Sequence, residues 1–278
     1  MLFSNDLLLS KFIDVEKPIT AISSHDLILL NEKQKTREVI DLIIDKGFRR
    51  IPVVDKKNHL KGIVTTMDIL NFLGGGDKYS IFLKHRKSLS SPVSDIMERH
   101  VITIDKKTSI RKSLGIFKMK GKGLYPVVDG NRVIGLVSEW DIIKKLKHEV
   151  GLKVKDFMVK RPIVTGGNFT SFEISKILCR GGFRRLPVMD RGVLIGIITP
   201  FDVIKYLNGK NKEASLLEDK TRVWEIMQKD VVKIKPEANL MAVIKSMKMK
   251  GIGGFPVMEN EELVGIITER NIIDALMV

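Results

Sequence analysis

The order of apolar and polar residues repeats four times along the chain. Each copy opens on a short aliphatic run, such as residues 101–104, which predicts a β-strand. Apolar residues at intervals of three and four then predict an amphipathic helix, as at Ile110, Leu114 and Phe117 of the second copy. The fourth copy has the same spacing at Leu240, Val243, Ile244 and Met247.

A glycine follows each of these helices and predicts its C-terminal end, since glycine readily adopts the left-handed conformation found there. These glycines are Gly47, Gly121, Gly181 and Gly251. Two apolar strands around a turn come next, written "YPVVD-GN-RVIGLVS" in the second copy, and a second helix starts at a Thr or Ser. The first turns of the second helices hold Ile69, Ile142, Val203 and Ile272. Each copy therefore predicts strand, helix, strand, strand, helix, an α/β (α+β) unit.

The residue letters repeat as well as the pattern. Pro-Val recurs at Pro52, Pro126, Pro187 and Pro256, and a Gly, two aliphatic residues and a Thr or Ser follow from Gly62, Gly135, Gly196 and Gly265. Three copies have a similar lead-in, "VSDIMERHVITI", "VKDFMVKRPIVT" and "VWEIMQKDVVKI", whereas the first has "TAISSHDLILL". We expect four units, at residues 10–73, 93–147, 154–207 and 223–278. One unit is too small to bury both helices, so we expect the units to pair by their sheets.

Composition and charge narrow the classes of function. With 44% hydrophobic and 29% charged residues among 278, the chain can bury a good core, and no apolar run approaches the roughly 20 residues that cross a bilayer. Cys179 is the only cysteine, which excludes an internal disulfide and, with no secretory signal visible, favours the cytoplasm. The net charge of +15 attracts polyanions, such as nucleic acid or phosphorylated small molecules.

We expect neither an enzyme nor a metal site. The five histidines occupy unrelated positions in the units, and none stands at metal-ligand spacing from another or from Cys179. The run "GGGDK" from Gly74 lacks the Gly-Lys-Ser/Thr ending of a nucleotide-binding P-loop. No catalytic constellation follows from these residues, and we expect no required cofactor.

The recurring motifs resemble a known family. The Pro-Val strand, the ending "GIVTTMD" with its echoes, and the "DIM" lead-in are similar to those of tandem cystathionine-β-synthase (CBS) domains, over nearly the whole chain. Four such units resemble the gamma regulatory subunit of AMP-activated protein kinase and its stand-alone prokaryotic relatives. The resemblance implies that the units pair into two modules that form a flat disc, with adenine nucleotides in clefts between paired units.

The residues that open the second helix have two interpretations. A Thr or Ser with an Asp three positions on is a capping box, and the same groups can hold a ribose diol. The resemblance favours the ribose interpretation for Thr65, Asp68, Ser138, Asp141, Thr199 and Asp202. Unit four has Thr268 and Asn271 at these positions. Because an amide accepts through one oxygen and carries no charge, we expect the fourth cleft to be the weakest or empty.

Two arginines precede the Pro-Val strand in units one and three, Arg49 with Arg50 and Arg184 with Arg185. Units two and four have Gly123 and Leu124, and Gly253 and Gly254, at these positions. A lone pair of this kind is ordinarily a solvent-facing charge. The resemblance implies phosphate contacts, which suit the planar guanidinium, and it extends that role to Arg270.

The resemblance also implies an apolar adenine pocket that is built partly from backbone. The same residues can equally be ordinary core. They are Ile28, Ile102, Ile163 and Val232 in the first strands, and Ile51, Pro52, Val53, Leu186, Pro187 and Val188 in the Pro-Val strands.

Three functions stay open from the sequence. The first is a cytoplasmic energy sensor that binds AMP, ADP or ATP and signals by changing shape or its affinity for a regulated protein or a second copy of itself. The second is a nucleic-acid-binding regulator, which the charge of +15 supports. The third is a sensor of S-adenosylmethionine or a related adenosyl compound, against which the arginines argue because they repel a sulfonium cation. We expect no membrane partner.

Overall fold

The four predicted units are present as four repeats, each built around a three-stranded sheet. The structure is a computed structural model that describes residues 8–85, 88–146, 151–210, 216 and 219–277. Repeat one consists of β1 (Leu30–Asn31), α1 (Thr36–Lys46), β2 (Arg50–Val54), β3 (Leu60–Thr65), α2 (Thr66–Leu70) and, beyond a π-helical turn at Asn71–Gly75, α3 (Tyr79–Lys84). Repeat two consists of β4 (Ile104–Asp105), α4 (Ile110–Lys120), β5 (Leu124–Asp129), β6 (Arg132–Ser138) and α5 (Glu139–Ile143).

Repeats three and four begin with short lead-in elements, and repeat four has no strand among its described residues before its first long helix. Repeat three consists of α6 (Val154–Phe157), β7 (Val159–Lys160), β8 (Thr165–Gly166), α7 (Ser171–Gly181), β9 (Leu186–Asp190), β10 (Val193–Ile198) and α8 (Pro200–Lys210). Repeat four consists of α9 (Val223–Ile226), α10 (Leu240–Lys250), β11 (Gly254–Glu259), β12 (Glu262–Thr268) and α11 (Glu269–Ala275). Single helical turns of the 3-10 type lie at Leu8–Lys11, Ile19–Ala21 and Val93–Asp95.

The predicted order of elements is confirmed in repeats one to three, with two shifts in position. In repeat four the predicted first strand is reduced to a single parallel bridge between Ile234 and Val257. The first strand of repeat two begins at Ile104, because its parallel pairing with β5 starts opposite Val127 and residues 101–103 have no partner in that ladder. The prediction of a strand over 101–104 was therefore too long and too early. The end of α7 also differs by one residue: Gly182, with φ of 63°, is the left-handed residue that ends it, and Gly181 is still helical.

The chain divides into two compact units, each of which combines alternate repeats. The odd unit contains residues 28–101 and 163–231, hence the bodies of repeats one and three. The even unit contains the residues up to Leu27, 102–162 and those from Val232 on, hence repeats two and four. Inside each unit the two repeats meet through helices, α2 with α8 in the odd unit and α5 with α11 in the even unit. The sequence pattern did not predict this contact.

Each sheet is extended by the lead-in segment of another repeat. Ile63 of repeat one pairs with Glu98, and Ile197 of repeat three pairs with Gln228. In the even unit, β7 pairs with β12 of repeat four. The sheet of repeat two is extended at the equivalent position, where Leu136 pairs with Ser24 of the N-terminal segment "TAISS". Repeat one therefore has a lead-in that performs the structural role without the "DIM" letters.

A lead-in methionine packs on the recurring glycine, which lies inside the third strand of the repeat whose sheet that lead-in extends. A Cβ atom added to Gly62 would lie 2.5 Å from Sδ of Met97, and one added to Gly265 would lie 2.6 Å from Sδ of Met158. Because these distances leave no room for a methyl group, the recurring Gly and the recurring Met are two halves of one contact. This explains why both letters return together in three copies, whereas Ser23 faces Gly135 in repeat two.

Candidate functional site

The Thr or Ser and the Asp of three repeats form a closed hydrogen-bonded cap at the start of the second helix. In repeat one, Asp68 Oδ2 accepts from the Thr65 backbone N–H at 2.9 Å and from its hydroxyl at 2.7 Å, while the Asp68 N–H donates to Thr65 Oγ1 at 3.2 Å. Ser138 with Asp141 and Thr199 with Asp202 make the same three bonds. The local structure is therefore a capping box, and a ribose contact would have to use what the box leaves over.

The cap uses one carboxylate oxygen, and a different side chain lies against the other oxygen in each repeat. Lys78 Nζ donates to Asp68 Oδ1 at 2.5 Å, and Lys144 Nζ donates to Asp141 Oδ1 at 2.6 Å. In repeat three, Gln228 Nε2 donates to Asp202 Oδ1 at 2.9 Å. Each Oδ1 can exchange this donor for a hydroxyl of a ligand without disturbing the cap.

Sequence reasoning missed these three donors. Lys144 stands one helical turn beyond Asp141, so its spacing on α5 was a usable signal. Lys78 and Gln228 come from a turn and from a lead-in segment, 10 and 26 residues away from the Asp that each contacts. Only the fold brings these two side chains to the caps.

Repeat four presents a different group at its cap. Asn271 Oδ1 accepts from the Thr268 backbone N–H at 2.9 Å and from the Thr268 hydroxyl at 2.7 Å. Because a backbone N–H requires an acceptor, the cap holds the amide oxygen inward and turns the NH₂ group outward. Asn271 therefore offers a ligand a donor where the other repeats offer a charged acceptor, which differs from the sequence-based expectation that it accepts from one hydroxyl.

The residue three before the proline of the Pro-Val strand lies beside the start of the second helix. The Arg49 carbonyl accepts from the Thr66 N–H at 3.1 Å, and the Gly123 and Gly253 carbonyls accept from the first helical N–H of their own repeats at 3.1 and 3.2 Å. Arg50 lies opposite Thr65 in the β2–β3 ladder. The arginines of repeat one are thus beside the cap of the same repeat.

The arginine positions of repeat three have the same exposure as those of repeat one. Arg49 and Arg184 are exposed, and Arg50 and Arg185 are half-buried. A guanidinium at any of these four positions has access to solvent, which phosphate binding requires. The phosphate contacts themselves stay a prediction.

Gly253, which stands where repeats one and three have an arginine, makes room for a glutamate. A Cβ atom on Gly253 would lie 2.9 Å from the carboxylate of Glu269, the first residue of α11. The equivalent residue of repeat two, Glu139, is only 2% exposed and lies 3.6 Å from Arg270. The helix start therefore carries a glutamate in repeats two and four, where repeats one and three carry arginines just ahead of it and an uncharged residue in its place.

Arg270 has several partners within the even unit. Its Nη1 donates to the Phe117 carbonyl, and its Nη2 donates to the Lys118 carbonyl at 2.8 Å, so the guanidinium binds the C-terminal end of α4. Asp274 Oδ1 lies 3.5 Å from its Nε. A phosphate contact by Arg270 stays a prediction and would require it to leave the helix end.

The predicted adenine residues fall into two groups. Those of the Pro-Val strands are buried in the core, namely Ile51, Pro52, Val53, Leu186, Pro187 and Val188. The prediction that the other four residues lie in the first strands was wrong, since each lies in the segment before the strand position. They are accessible: Ile163 is 58% and Ile102 37% exposed, while Ile28 and Val232 are half-buried. The first group can therefore contact a ligand only through backbone atoms, whereas the second group can do so through its side chains.

Across the part of the chain that the structure describes, no three His, Cys, Asp or Glu side chains come together in a way that could hold a metal ion. No helix in the described ranges combines the length and the apolar character needed to cross a membrane.

Comparison with known proteins identifies the repeats. The model of the CBS domain matches residues 19–75, 93–148, 154–209 and 223–278. The protein MJ1225 of Methanocaldococcus jannaschii is 34% identical over 253 residues, which cover 85% of this chain and 90% of that protein. An uncharacterised 33.4 kDa protein of Thermofilum pendens is 28% identical over 261 residues, 86% of this chain and 85% of that protein.

Solved structures agree with this comparison. The crystal structure of MJ1225, described as a candidate archaeal homologue of g-AMPK, superposes with a TM-score of 0.86 at 31% identity and covers 93% of this chain and 99% of that one. A crystal structure from Pyrococcus horikoshii shares the fold at 19% identity, with a TM-score of 0.61 and the same coverage. The matched segments account for most of the sequence, and the chain therefore belongs to the CBS-domain family, as a regulatory protein of four CBS repeats.

Proposed function

We propose that this protein is a sensor of AMP, ADP or ATP, which binds them at the caps of its repeats and signals by a change of shape or of partner affinity. The observation that supports this most directly is the second oxygen of Asp68, Asp141 and Asp202, which each cap leaves to an exchangeable donor. The two hydroxyls of a ribose can both donate to a carboxylate, and such charge-assisted bonds are stronger than neutral ones.

The arginines support a phosphate-bearing ligand. In repeat one, Arg49 and Arg50 lie beside the cap. The 5′ phosphate of a ribose bound at Asp68 would therefore lie in the same repeat as these two guanidinium groups. A guanidinium matches phosphate oxygens and repels a sulfonium. This favours AMP, ADP or ATP over S-adenosylmethionine.

Similarity to MJ1225 supports the energy-sensing role. That protein is described as a candidate homologue of g-AMPK, and its identity to this chain exceeds 30% over nearly its whole length. A protein of this kind would act in the cytoplasm, which suits a chain with a single cysteine. Its signal would reach a regulated protein or a second copy of the chain.

Calorimetric titration with AMP, ADP, ATP and S-adenosylmethionine tests the proposal. We expect micromolar or tighter binding of at least one adenine nucleotide, a rise in melting temperature with nucleotide concentration, and no binding of S-adenosylmethionine. The absence of any thermal shift at millimolar AMP, ADP and ATP would refute the proposal. Binding of S-adenosylmethionine that is stronger than binding of the nucleotides would indicate a sensor of adenosyl compounds instead.

The net charge of +15 favours a nucleic-acid regulator as the second candidate. This function would be supported if the affinity for a DNA or RNA duplex fell steeply with salt concentration and free nucleotide had no effect. Nucleotide binding that changes little between 50 and 200 mM salt is the result expected if the caps hold the ligand.

A further inference from the structure

We propose that the side chain held against the second carboxylate oxygen sets the order in which the repeats take up ligand, and that Gln228 makes repeat three the first site to fill. This inference rests on the proposed function. It assigns an affinity-determining role to Gln228, Lys78 and Lys144, none of which belongs to the repeated motif.

The three donors differ in charge. Lys78 and Lys144 each place an ammonium on an aspartate, whereas Gln228 places a neutral amide there. A ribose hydroxyl that enters between donor and carboxylate can donate to the carboxylate and accept from the donor. With the amide, this replaces one neutral donor by another. With an ammonium, it separates a positive and a negative charge, which weakens their attraction.

The cost of separating the charges is larger in repeat one than in repeat two. Lys78 is 25% exposed, and its Nζ also donates to the Ile96 carbonyl at 2.5 Å, so two acceptors hold its ammonium group. Lys144 is 39% exposed and lies on the same helix as Asp141, from which its flexible side chain can swing into solvent. We therefore expect ligand to enter repeat two more readily than repeat one.

Gln228 is held in place by its own backbone. Its N–H and its carbonyl both bond to Ile197 at 2.9 Å, and Met227 before it packs on Gly196. The amide is therefore positioned before a ligand arrives, and its placement costs little entropy on binding. The register is the same in all four repeats, and the residues equivalent to Gln228 are Ser24, Glu98 and Val159.

The other three lead-in residues provide no equivalent donor amide. Glu98 turns its carboxylate to the backbone N–H of His100 at 2.8 Å, and Val159 is apolar. In repeat four the cap itself presents the NH₂ of Asn271, and the lead-in residue is the apolar Val159. The order of filling that follows is repeat three, then two, then one, with repeat four last.

The test isolates single sites with substitutions that keep the caps. Asn271 shows that an amide completes the capping box, so Asp→Asn removes the charge without removing the cap. The variant Asp68→Asn/Asp141→Asn leaves the carboxylate of repeat three, and Asp141→Asn/Asp202→Asn leaves that of repeat one. Titration with AMP should give a dissociation constant at least tenfold lower for the first variant. Equal constants would overturn the inference.

A reciprocal exchange then tests the side chains themselves. In the repeat-three background, Gln228→Lys should raise the dissociation constant for AMP about tenfold, and in the repeat-one background Lys78→Gln should lower it. Asp230→Asn is the matched control, since it raises the net charge by the same amount two residues along the exposed lead-in segment. It should leave the dissociation constant for AMP unchanged.

The outcomes separate this inference from the proposed function. An unchanged or lower dissociation constant for Gln228→Lys would overturn the inference. The ammonium would then either have no effect on AMP binding or strengthen it by contacting a phosphate. If the unsubstituted protein binds no adenine nucleotide, the proposed function itself fails. Binding without an order among the repeats refutes the order alone.

Discussion

Two substitutions of Asp202 separate its role in the helix cap from its role in ligand binding. Asp202→Ala removes both carboxylate oxygens, hence the bonds from Thr199 and the contact with Gln228. Asp202→Asn keeps an acceptor for the Thr199 N–H and hydroxyl, as Asn271 does for Thr268. Its NH₂ then replaces the charged oxygen that faces Gln228. The first variant loses cap and ligand oxygen, and the second loses only the ligand oxygen.

The magnitudes follow from these bonds. Loss of hydrogen bonds to a charged group costs about 1.5–3 kcal/mol, so either variant should raise the dissociation constant of repeat three about 10- to 150-fold. Loss of the cap costs about 1 kcal/mol, which for a chain of this size lowers the melting temperature by about 2 °C. We expect this loss of stability for Asp202→Ala and almost none for Asp202→Asn.

The assay needs a site-resolved affinity and a melting temperature for each variant. Titration in the Asp68→Asn/Asp141→Asn background reports repeat three alone, and calorimetric or fluorescence melting without ligand reports stability. Glu173→Ala is the matched control, because Thr170 and Glu173 form a full capping box on α7 of the same repeat, away from the candidate site. It should lower the melting temperature and leave the affinity for AMP unchanged.

A purely structural Asp202 would give the opposite pattern. Asp202→Ala would then lower stability, as Glu173→Ala does, while both Asp202 variants bound AMP as tightly as the unsubstituted protein. That result would refute the ribose role of the carboxylate. The capping box would remain as the whole reason for the spacing of Thr199 and Asp202.

Four further predictions concern other parts of the chain. Gly196→Ala should destabilise the protein by about 1–3 kcal/mol in denaturant unfolding, since its methyl group would collide with Met227, and unchanged stability would contradict that packing. Asn271→Asp should add one AMP site in calorimetric titration, because it turns a donor into a charged acceptor; an unchanged number of sites would place the obstacle elsewhere. Burial, and next the charge of a nearby aspartate, raise the pKa of Cys179 from 9.0 to about 12. The thiolate fraction at pH 8 is therefore about a thousandfold lower in the folded than in the unfolded protein, and alkylation should become rapid only on unfolding. Hydrogen bonds from two lysines lower the pKa of Glu237 from 4.5 to about 2, so its contribution to stability is present above about pH 4.5 and lost as the pH falls towards 2; Glu237→Gln should flatten that part of an acid-unfolding curve.

The sequence predicted the parts of the structure that depend on local pattern. Helical spacing and the glycine after it placed α4 and α10, and the Thr-x-x-Asp spacing placed the caps. Two adjacent glycines, Gly181 and Gly182, stand at the C-terminal end of α7, and the sequence pattern could not tell which one takes the left-handed conformation. The choice depends on which carbonyls the Gly182 and Phe183 N–H groups reach.

The donors at the caps depend on contacts that no local pattern encodes. Gln228 reaches Asp202 because the lead-in of repeat four adds to the sheet of repeat three, and Lys78 reaches Asp68 because a glycine turn redirects the chain. The lead-in of repeat one shows the converse. Ser24 takes the structural place of Gln228 in repeat two although the letters around it do not resemble the other lead-ins.

The addition of each lead-in to another repeat's sheet has a consequence for how the chain can be divided. A cut between repeats two and three keeps the lead-ins with their sheets, but each compact unit then loses one of its two repeats. A cut that follows the compact units would have to sever the chain at each of its four crossings between them. No two fragments therefore inherit complete cores, and a half-length chain would need a second copy of itself to bury its helices.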